Sequence, residues 1–259
     1  MNASSRPVAL ITGARRGIGR ACGEALARAG FDIAATDLAI DDAAREAKAA
    51  FFAAGARSVV FFKHDVAKIE DHSTLVASIL ERFDRLDCLV NNAGRGAVVR
   101  RDLLALTPEN FDAVMNVNLR GALFLTQEVA RAMLGAAAPD GARSIITITS
   151  VSAEMVSPDR AEYCVSKAAL SMVVKAFATR LAPEGIAVFE VRPGIIHTDM
   201  TAPVAGRYDD AIADGLVPAR RWGEAADIGA IVASLASGQF AFATGSVIAA
   251  DGGLSLPRL

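Results

Sequence analysis

Tyr163 and Lys167 stand four residues apart in Tyr163-Cys164-Val165-Ser166-Lys167, a spacing that puts a phenol and an ammonium on one face of a helix. Such a pair suits proton exchange with an alcohol or a carbonyl. It takes the hydroxyl proton as a hydride leaves, or returns it when a ketone is reduced. A free phenol, with a pKa of about 10, is a poor base near neutrality, but a neighbouring cation favours the phenolate. Lys167 is the expected source of that cation. Ser150, which closes the run Thr147-Ile148-Thr149-Ser150, can hold the substrate oxygen beside the phenol and offset the charge that develops there. Asn118, in Asn116-Val117-Asn118-Leu119-Arg120-Gly121, falls mid-helix, where Asn has poor intrinsic propensity. A polar duty, such as holding a water against Lys167, would account for it.

Hydride chemistry needs a carrier, and the N-terminal segment offers a place for one. The apolar run Val8-Ala9-Leu10-Ile11 leads into Thr12-Gly13-Ala14-Arg15-Arg16-Gly17-Ile18-Gly19, after which a helical pattern begins at once. Glycines there let the backbone turn sharply against a pyrophosphate, and the helix start supplies unpaired N–H groups and a positive dipole end. Gly13, Arg15, Arg16, Gly17, Ile18 and Gly19 are therefore candidate cofactor contacts. Asp37, about twenty residues on, ends the second apolar run, where a carboxylate binds ribose hydroxyls and repels a 2'-phosphate. That points to NAD(H). Arg16 keeps NADP(H) open, since a guanidinium beside the ribose could pair with the extra phosphate. Asp65 and Val66 could meet the adenine edge, or Asp65 could simply form a turn. Asn92, Ala93 and Gly94, after Asn91, are small or polar enough for backbone to lie against a ribose and for amides to tie strand ends together.

The elements that must position these groups alternate along the chain. Strand-like runs at Val8–Thr12, 32–36 and 58–62 are each followed by a helical pattern, at 17–29, 41–54 and 69–83. Further strands are expected at 86–90, 144–149, 188–191 and 247–249, separated by helices at 108–134, Ala161–Leu181 and Ala225–Ala236. The alternation predicts an α/β Rossmann fold, a doubly wound parallel sheet with helices on both faces. The early runs are apolar at almost every position, as strands covered on both faces must be. Only the stretch at about 194–221, with scattered Pro, Gly and Asp, breaks the rhythm and reads as a short helical substrate lid. No linker divides the halves, so residues 1–259 read as one domain.

Composition narrows the partners. A net charge of −2 offers no electrostatic excess for nucleic acid. Apolar residues make up 53% of the chain but come in short runs, none near the ~20 residues of a membrane span. The N-terminus shows no basic region or cleavage site of a signal peptide, so the expected location is the cytoplasm. Cys22, Cys88 and Cys164 are an odd, scattered set, expected to be reduced core thiols with no metal spacing among them.

Taken in order, Thr12-Gly13-x-x-x-Gly17-x-Gly19, Asn91-Asn92-Ala93-Gly94, Asn118, Ser150, Tyr163-x-x-x-Lys167 and Pro193-Gly194 resemble the short-chain dehydrogenase/reductase family over essentially the whole chain. Within it, Arg192-Pro193-Gly194 and the ending Asp251-Gly252-Gly253-Leu254 look closest to 3-oxoacyl-(acyl-carrier-protein) reductases. The resemblance implies a catalytic tetrad of Asn118, Ser150, Tyr163 and Lys167. Lys167 and Tyr163 would also touch the nicotinamide ribose, and Pro193, Gly194, Ile196 and Thr198 would grip the nicotinamide. It implies a homotetramer too, with Leu119, Leu123, Val129 and Met133 packing with Leu170, Val173, Val174 and Phe177 across a dyad. The other possibility is an ordinary stripe buried within the chain. Arg95 stands where an apolar residue is usual, facing either an anionic substrate or solvent.

The expected activity is NAD(P)(H)-dependent interconversion of a secondary alcohol and a ketone, on a 3-oxoacyl thioester or a sugar or polyol. A catalytically silent dinucleotide-sensing regulator is the second reading, though such a protein has no need to keep Tyr163 and Lys167. Glu154, Met155, His197, Met200 and Tyr208 are candidate pocket-wall residues, His197 more as a lid residue than as a ligand.

Overall fold

Strand β1 (Val8–Thr12) is buried at every position, and its alternating side chains feed two separate cores. Ala9 and Ile11 join one, Val8 and Leu10 the other, as the two-residue period of a strand covered on both faces requires. The computed structural model describes residues 6–136, 141–199, 201–202 and 205–258.

The chain continues through α1 (Gly17–Arg28), β2 (Asp32–Asp37), α2 (Asp42–Ala53), β3 (Val59–Lys63), α3 (His72–Phe83) and β4 (Cys88–Asn91). It then forms α4 (Pro108–Met115), α5 (Ala122–Gly135), β5 (Arg143–Ile148), α6 (Ala161–Leu181) and β6 (Ile186–Pro193). Last come β7 (Ile196–His197), α7 (Ala205–Ala213), β8 (Gly223–Glu224), α8 (Ala225–Ala236) and β9 (Val247–Ala250). Among the described residues, seven strands form one sheet in the order β3-β2-β1-β4-β5-β6-β9, every pairing parallel. This is the expected doubly wound α/β sheet. The chain reverses direction of winding between β1 and β4, so a crevice opens beyond the carboxyl ends of these strands.

Helices α1 and α8 cover one face with Cys22, Leu26, Ile228, Val232 and Leu235. Helices α3, α5 and α6 cover the other with Leu75, Ile79, Leu125, Val129, Met133 and Val174. No helix among the described residues is long and apolar enough to cross a membrane.

Four expectations need correction. The helix expected at 108–134 is interrupted by a π-helical turn at Asn116–Gly121, a local widening that carries Asn118. The lid is not purely helical: β7 pairs with β8 in a second, two-stranded ladder, and α7 lies between them. Val129, Met133, Leu170 and Val174 are buried within the chain, so half of the supposed dyad stripe is ordinary core. The surplus apolar surface on these helices belongs instead to Phe124, Val165 and Met172, which are exposed. Cys22 and Cys88 are buried as expected, with burial pushing the Cys88 thiol up to about 12. Cys164 is half-buried and not a core residue.

Candidate active site

The glycine-rich turn sits at the carboxyl end of β1 and is held from β4. Asn92 donates through Nδ2 to the carbonyls of Thr12 and Gly13, at 2.8 and 3.0 Å. Thr12 Oγ1 accepts the N–H groups of Asn92 and Ala93, at 3.0 and 2.9 Å. Gly13 and Gly17 have φ of 66° and 55°, the left-handed region that glycine enters freely. A Cβ on Gly19 would lie 2.1 Å from the Gly13 carbonyl oxygen, so α1 approaches the turn as closely as backbone allows. Arg16, just before α1, makes no side-chain cap, and the first turn of the helix holds no acidic residue. These N–H groups and the dipole end face the crevice with no side chain competing for them, which fits a pyrophosphate.

Asp37 closes β2 beside this turn, as expected, but its cationic neighbour is Arg15 and not Arg16. Arg15 Nε lies 3.1 Å from Asp37, the Arg15 backbone N–H donates to the same carboxylate at 3.2 Å, and the guanidinium also pairs with Asp41. Asp41 is further occupied as the N-cap of α2, accepting from the Ala44 N–H. Arg16 points the other way, to Asp199 at 3.1 Å, an exposed pair that contributes little stability. Successive residues in an extended turn project to opposite sides, and the sequence alone does not say which side holds the acid.

Asp65 accepts from the Ala67 N–H at 3.0 Å, so its turn-forming role is visible. The Val66 carbonyl is engaged by the buried His72 ring at 3.0 Å.

At the reacting end, Ser150 follows β5 and Tyr163 sits in the first turn of α6. Burial pushes the Tyr163 phenol above its ordinary pKa, while a hydrogen bond with Ser150 and the charge of Arg160 pull it back. Lys167 Nζ lies 5.8 Å from the centre of the Tyr163 ring, so the pair faces together as the spacing implied. Arg160 stands beside the same phenol as a second cation. Lys167 donates to the Ile148 carbonyl at 3.0 Å, and burial brings its own pKa down to about 8 against the supporting charge of Glu190.

Asn118 is buried in the π turn and acts as a clasp. Its Oδ1 accepts the Arg95 N–H at 2.8 Å, and its Nδ2 donates to the Arg95 carbonyl and to Ser166 Oγ, each at 3.0 Å. Ser166 in turn donates to the Tyr163 carbonyl at 2.8 Å. Gly94 lies between the clasp and the lysine: a Cβ there would sit 3.4 Å from Asn118 Oδ1 and 3.7 Å from Lys167 Nζ. The four expected tetrad residues thus gather at the crevice, next to Asn92, Ala93 and Gly94.

Comparison with known proteins decides the family. The family description "Enoyl-(Acyl carrier protein) reductase" matches residues 13–255. A 3-oxoacyl-[acyl-carrier-protein] reductase of Synechocystis is 34% identical over 98% of this chain and 99% of its own length. An acetoacetyl-CoA reductase of Shinella zoogloeoides is 34% identical over 95% of this chain and 97% of its own. The crystal structure of a 3-oxoacyl-[acyl-carrier protein] reductase from Brucella melitensis in complex with NAD superposes with a TM-score of 0.95 at 57% identity, covering 98% of this chain and 99% of that one.

The chain belongs to the short-chain dehydrogenase/reductase family. It is an oxidoreductase that acts on CH–OH groups with a nicotinamide dinucleotide.

For a short-chain dehydrogenase/reductase, the remaining parts fall around this frame. Pro193 and Gly194 end β6 against β9, the Gly194 N–H donating to Ala250 at 3.1 Å. Ile196 is buried in β7. Thr198 lies over the glycine turn, its Cγ2 3.7 Å from where a Gly17 Cβ would be. Of the wall candidates, His197 and Tyr208 both pack edge-on against Trp222, at 5.8 and 5.9 Å. Glu154 pairs with Arg192, Met155 is exposed, and Met200 lies outside the described residues.

Sequence reading missed four supporting residues. Thr12 and Ser166 act as described above. Thr201 Oγ1 donates to the Ile196 carbonyl at 2.7 Å and accepts the Thr198 N–H at 3.0 Å, closing the turn that carries the nicotinamide-side segment. Glu190 is fully buried behind Lys167 and accepts from Thr149, Ser171 and Arg192. Only Glu190 left a signal in the sequence, as a carboxylate inside an otherwise apolar strand.

Proposed function

We propose that this protein interconverts a ketone and a secondary alcohol with NAD(H), as a single dinucleotide-binding and catalytic domain, with Tyr163 exchanging the proton. The observation that carries this reading is the meeting of Ser150, Tyr163 and Lys167 at the crevice beside the glycine turn. When bound, the nicotinamide dinucleotide supplies or accepts the hydride. Gly13, Arg15, Arg16, Gly17, Ile18 and Gly19 hold its pyrophosphate, Asp37 its adenosine ribose, and Asp65 and Val66 its adenine. Asn92, Ala93 and Gly94 line the ribose side. Tyr163 and Lys167 meet the nicotinamide ribose, and Pro193, Gly194, Ile196 and Thr198 the nicotinamide. Ser150 orients the substrate oxygen, and Tyr163 gives its proton to the forming alkoxide or takes it from the alcohol. Lys167 stays cationic below its pKa of about 8, and Asn118 fixes the helix turn that carries the phenol.

The preference for NAD(H) rests on the clamp at Asp37. Arg15 is already neutralised by two carboxylates, Asp37 and Asp41, so a 2'-phosphate would meet negative charge and find no free guanidinium. The structural relative from Brucella melitensis was solved with NAD. The names of the reductase relatives support a 3-oxoacyl-thioester-like substrate, with a sugar or polyol as the other class. Exposed Phe124, Val165 and Met172 on α5 and α6 support assembly into a homotetramer, and the working compartment is the cytoplasm. Neither nucleic acid nor membrane is a partner. A catalytically silent regulator has no support from a site that keeps Tyr163 and Lys167 together.

The test is a carbonyl and alcohol panel run with both cofactors, followed by Asp37→Ala. The variant is expected to raise the NADPH-to-NADH ratio of kcat/KM by about tenfold or more. An unchanged ratio removes the role given to Asp37, and failure of the wild type to bind either cofactor at millimolar concentration removes the whole reading.

A further inference from the structure

Arg160 immediately precedes α6, and its guanidinium carbon lies 5.1 Å from the centre of the Tyr163 ring. Its Nη2 donates to Ser152 Oγ at 3.1 Å, on the turn that begins at Ser150. One cation therefore bridges the two segments that present the reacting hydroxyls. Its Nε is buried with no hydrogen-bond partner, and among the described residues no carboxylate pairs with it.

Three of the nearby acids are committed elsewhere, while a fourth, Glu162, is buried in the first turn of α6 with its Oε1 lacking a hydrogen-bond partner. Asp159, its chain neighbour, binds Arg100 at 3.0 Å and Ser157 at 3.1 Å. Glu154 binds Arg192, and Glu190 is closed within its own buried network. Across the crevice, Arg95 is exposed with its backbone locked to Asn118, and no carboxylate pairs with it either. The mouth of the site is locally cationic in a chain whose net charge is −2.

A half-buried guanidinium held by one hydroxyl and one ring face keeps further N–H donors free for an anionic ligand. Its planar fork matches a carboxylate in a two-point hydrogen bond. We propose that Arg160 is a substrate-recognition residue of this site and that the substrate carries a carboxylate within a few bonds of its reacting carbonyl. The short reach follows from the stacking, since the guanidinium lies against the very ring whose hydroxyl exchanges the proton. A neutral thioester at that position would leave Arg160 as unpaired as it is in the free protein. This inference rests on the ketone and alcohol chemistry proposed above and sets an acidic substrate against the neutral 3-oxoacyl thioester named there.

The experiment uses the full-length enzyme with NADH and a series of short α-, β- and γ-keto acids, each beside its methyl ester. The wild type is expected to favour the best acid over its ester by about tenfold or more in kcat/KM. Arg160→Gln should lose at least about tenfold more activity on the acid than on the ester, mainly through KM, and Arg160→Lys should recover part of the difference as a point charge without the fork. Equal use of acids and esters by the wild type overturns the proposal, as does an equal loss on both in Arg160→Gln. Tyr163-dependent reduction of neutral ketones or thioesters without any preference for acids sinks the carboxylate subsite alone. Absence of Tyr163-dependent turnover across the series and the wider panel removes the functional reading with it.

Discussion

Tyr163→Phe is expected to lower kcat by about a hundredfold to ten-thousandfold while leaving NADH binding near the wild-type value. The substitution keeps the ring on which Arg160 and Lys167 rest and removes only the hydroxyl hydrogen-bonded with Ser150. Folding and every cofactor contact but that of the Tyr163 hydroxyl are thus spared, and the loss falls mainly on the proton step. Initial rates on any substrate found in the panel, together with calorimetric titration of NADH, separate the two effects. A variant that turns over at more than about a tenth of the wild-type rate would show that another group moves the proton.

The second large effect is expected at Glu190. Its carboxylate is wholly buried and accepts from Thr149 Oγ1 at 2.7 Å, Ser171 Oγ at 2.6 Å and the Arg192 guanidinium. Arg192 also reaches Ser171 at 2.9 Å and Glu154. Removing Glu190 strips the buried Arg192 of one of its two carboxylates and leaves Thr149 and Ser171 without that acceptor, so Glu190→Ala should cost about 3–5 kcal/mol in urea unfolding. The milder Glu190→Gln keeps the shape and tests the charge. Glu190 raises the pKa of Lys167 against the lowering due to burial, so neutralising it drops that pKa below about 8. Because a lysine loses its charge as pH rises through its pKa, the ammonium then disappears at lower pH than in the wild type. The alkaline limb of kcat against pH should move in the acid direction. A limb that stays in place would separate Glu190 from Lys167, and an unchanged unfolding midpoint in the alanine variant would deny the buried pair its structural weight.

How much of this was legible in the sequence depends on the range of each interaction. Helices α6 and α8 have the ends that local pattern predicted, Ala161–Leu181 and Ala225–Ala236, and for α8 the reciprocal cap between Glu224 and Asp227 fixes the start locally. The pairing of Tyr163 with Lys167 was legible for the same reason, as four residues make one helical turn. Contacts between distant segments left no such trace. Thr12 meets Asn92 and Ala93 across 80 and 81 positions, and Asn118 meets Ser166 across 48; threonine and serine are common enough that neither stood out. The poor helix formers Asn116, Asn118 and Gly121 mark an irregularity without its type, and only the backbone pairing distinguishes a π turn. The exchange of Arg15 for Arg16 came from side-chain direction in an irregular turn, which spacing does not encode. The two-residue strands β7 and β8 are too short for any periodicity to register.

The Asn118 clasp carries one more consequence. Because a single amide grips both the backbone after Gly94 and, through Ser166, the turn that bears Tyr163, the two halves of the cleft are mechanically one part. Substitutions on opposite walls should therefore couple in a thermodynamic cycle, their combined cost departing from the sum of the separate ones although the side chains never touch.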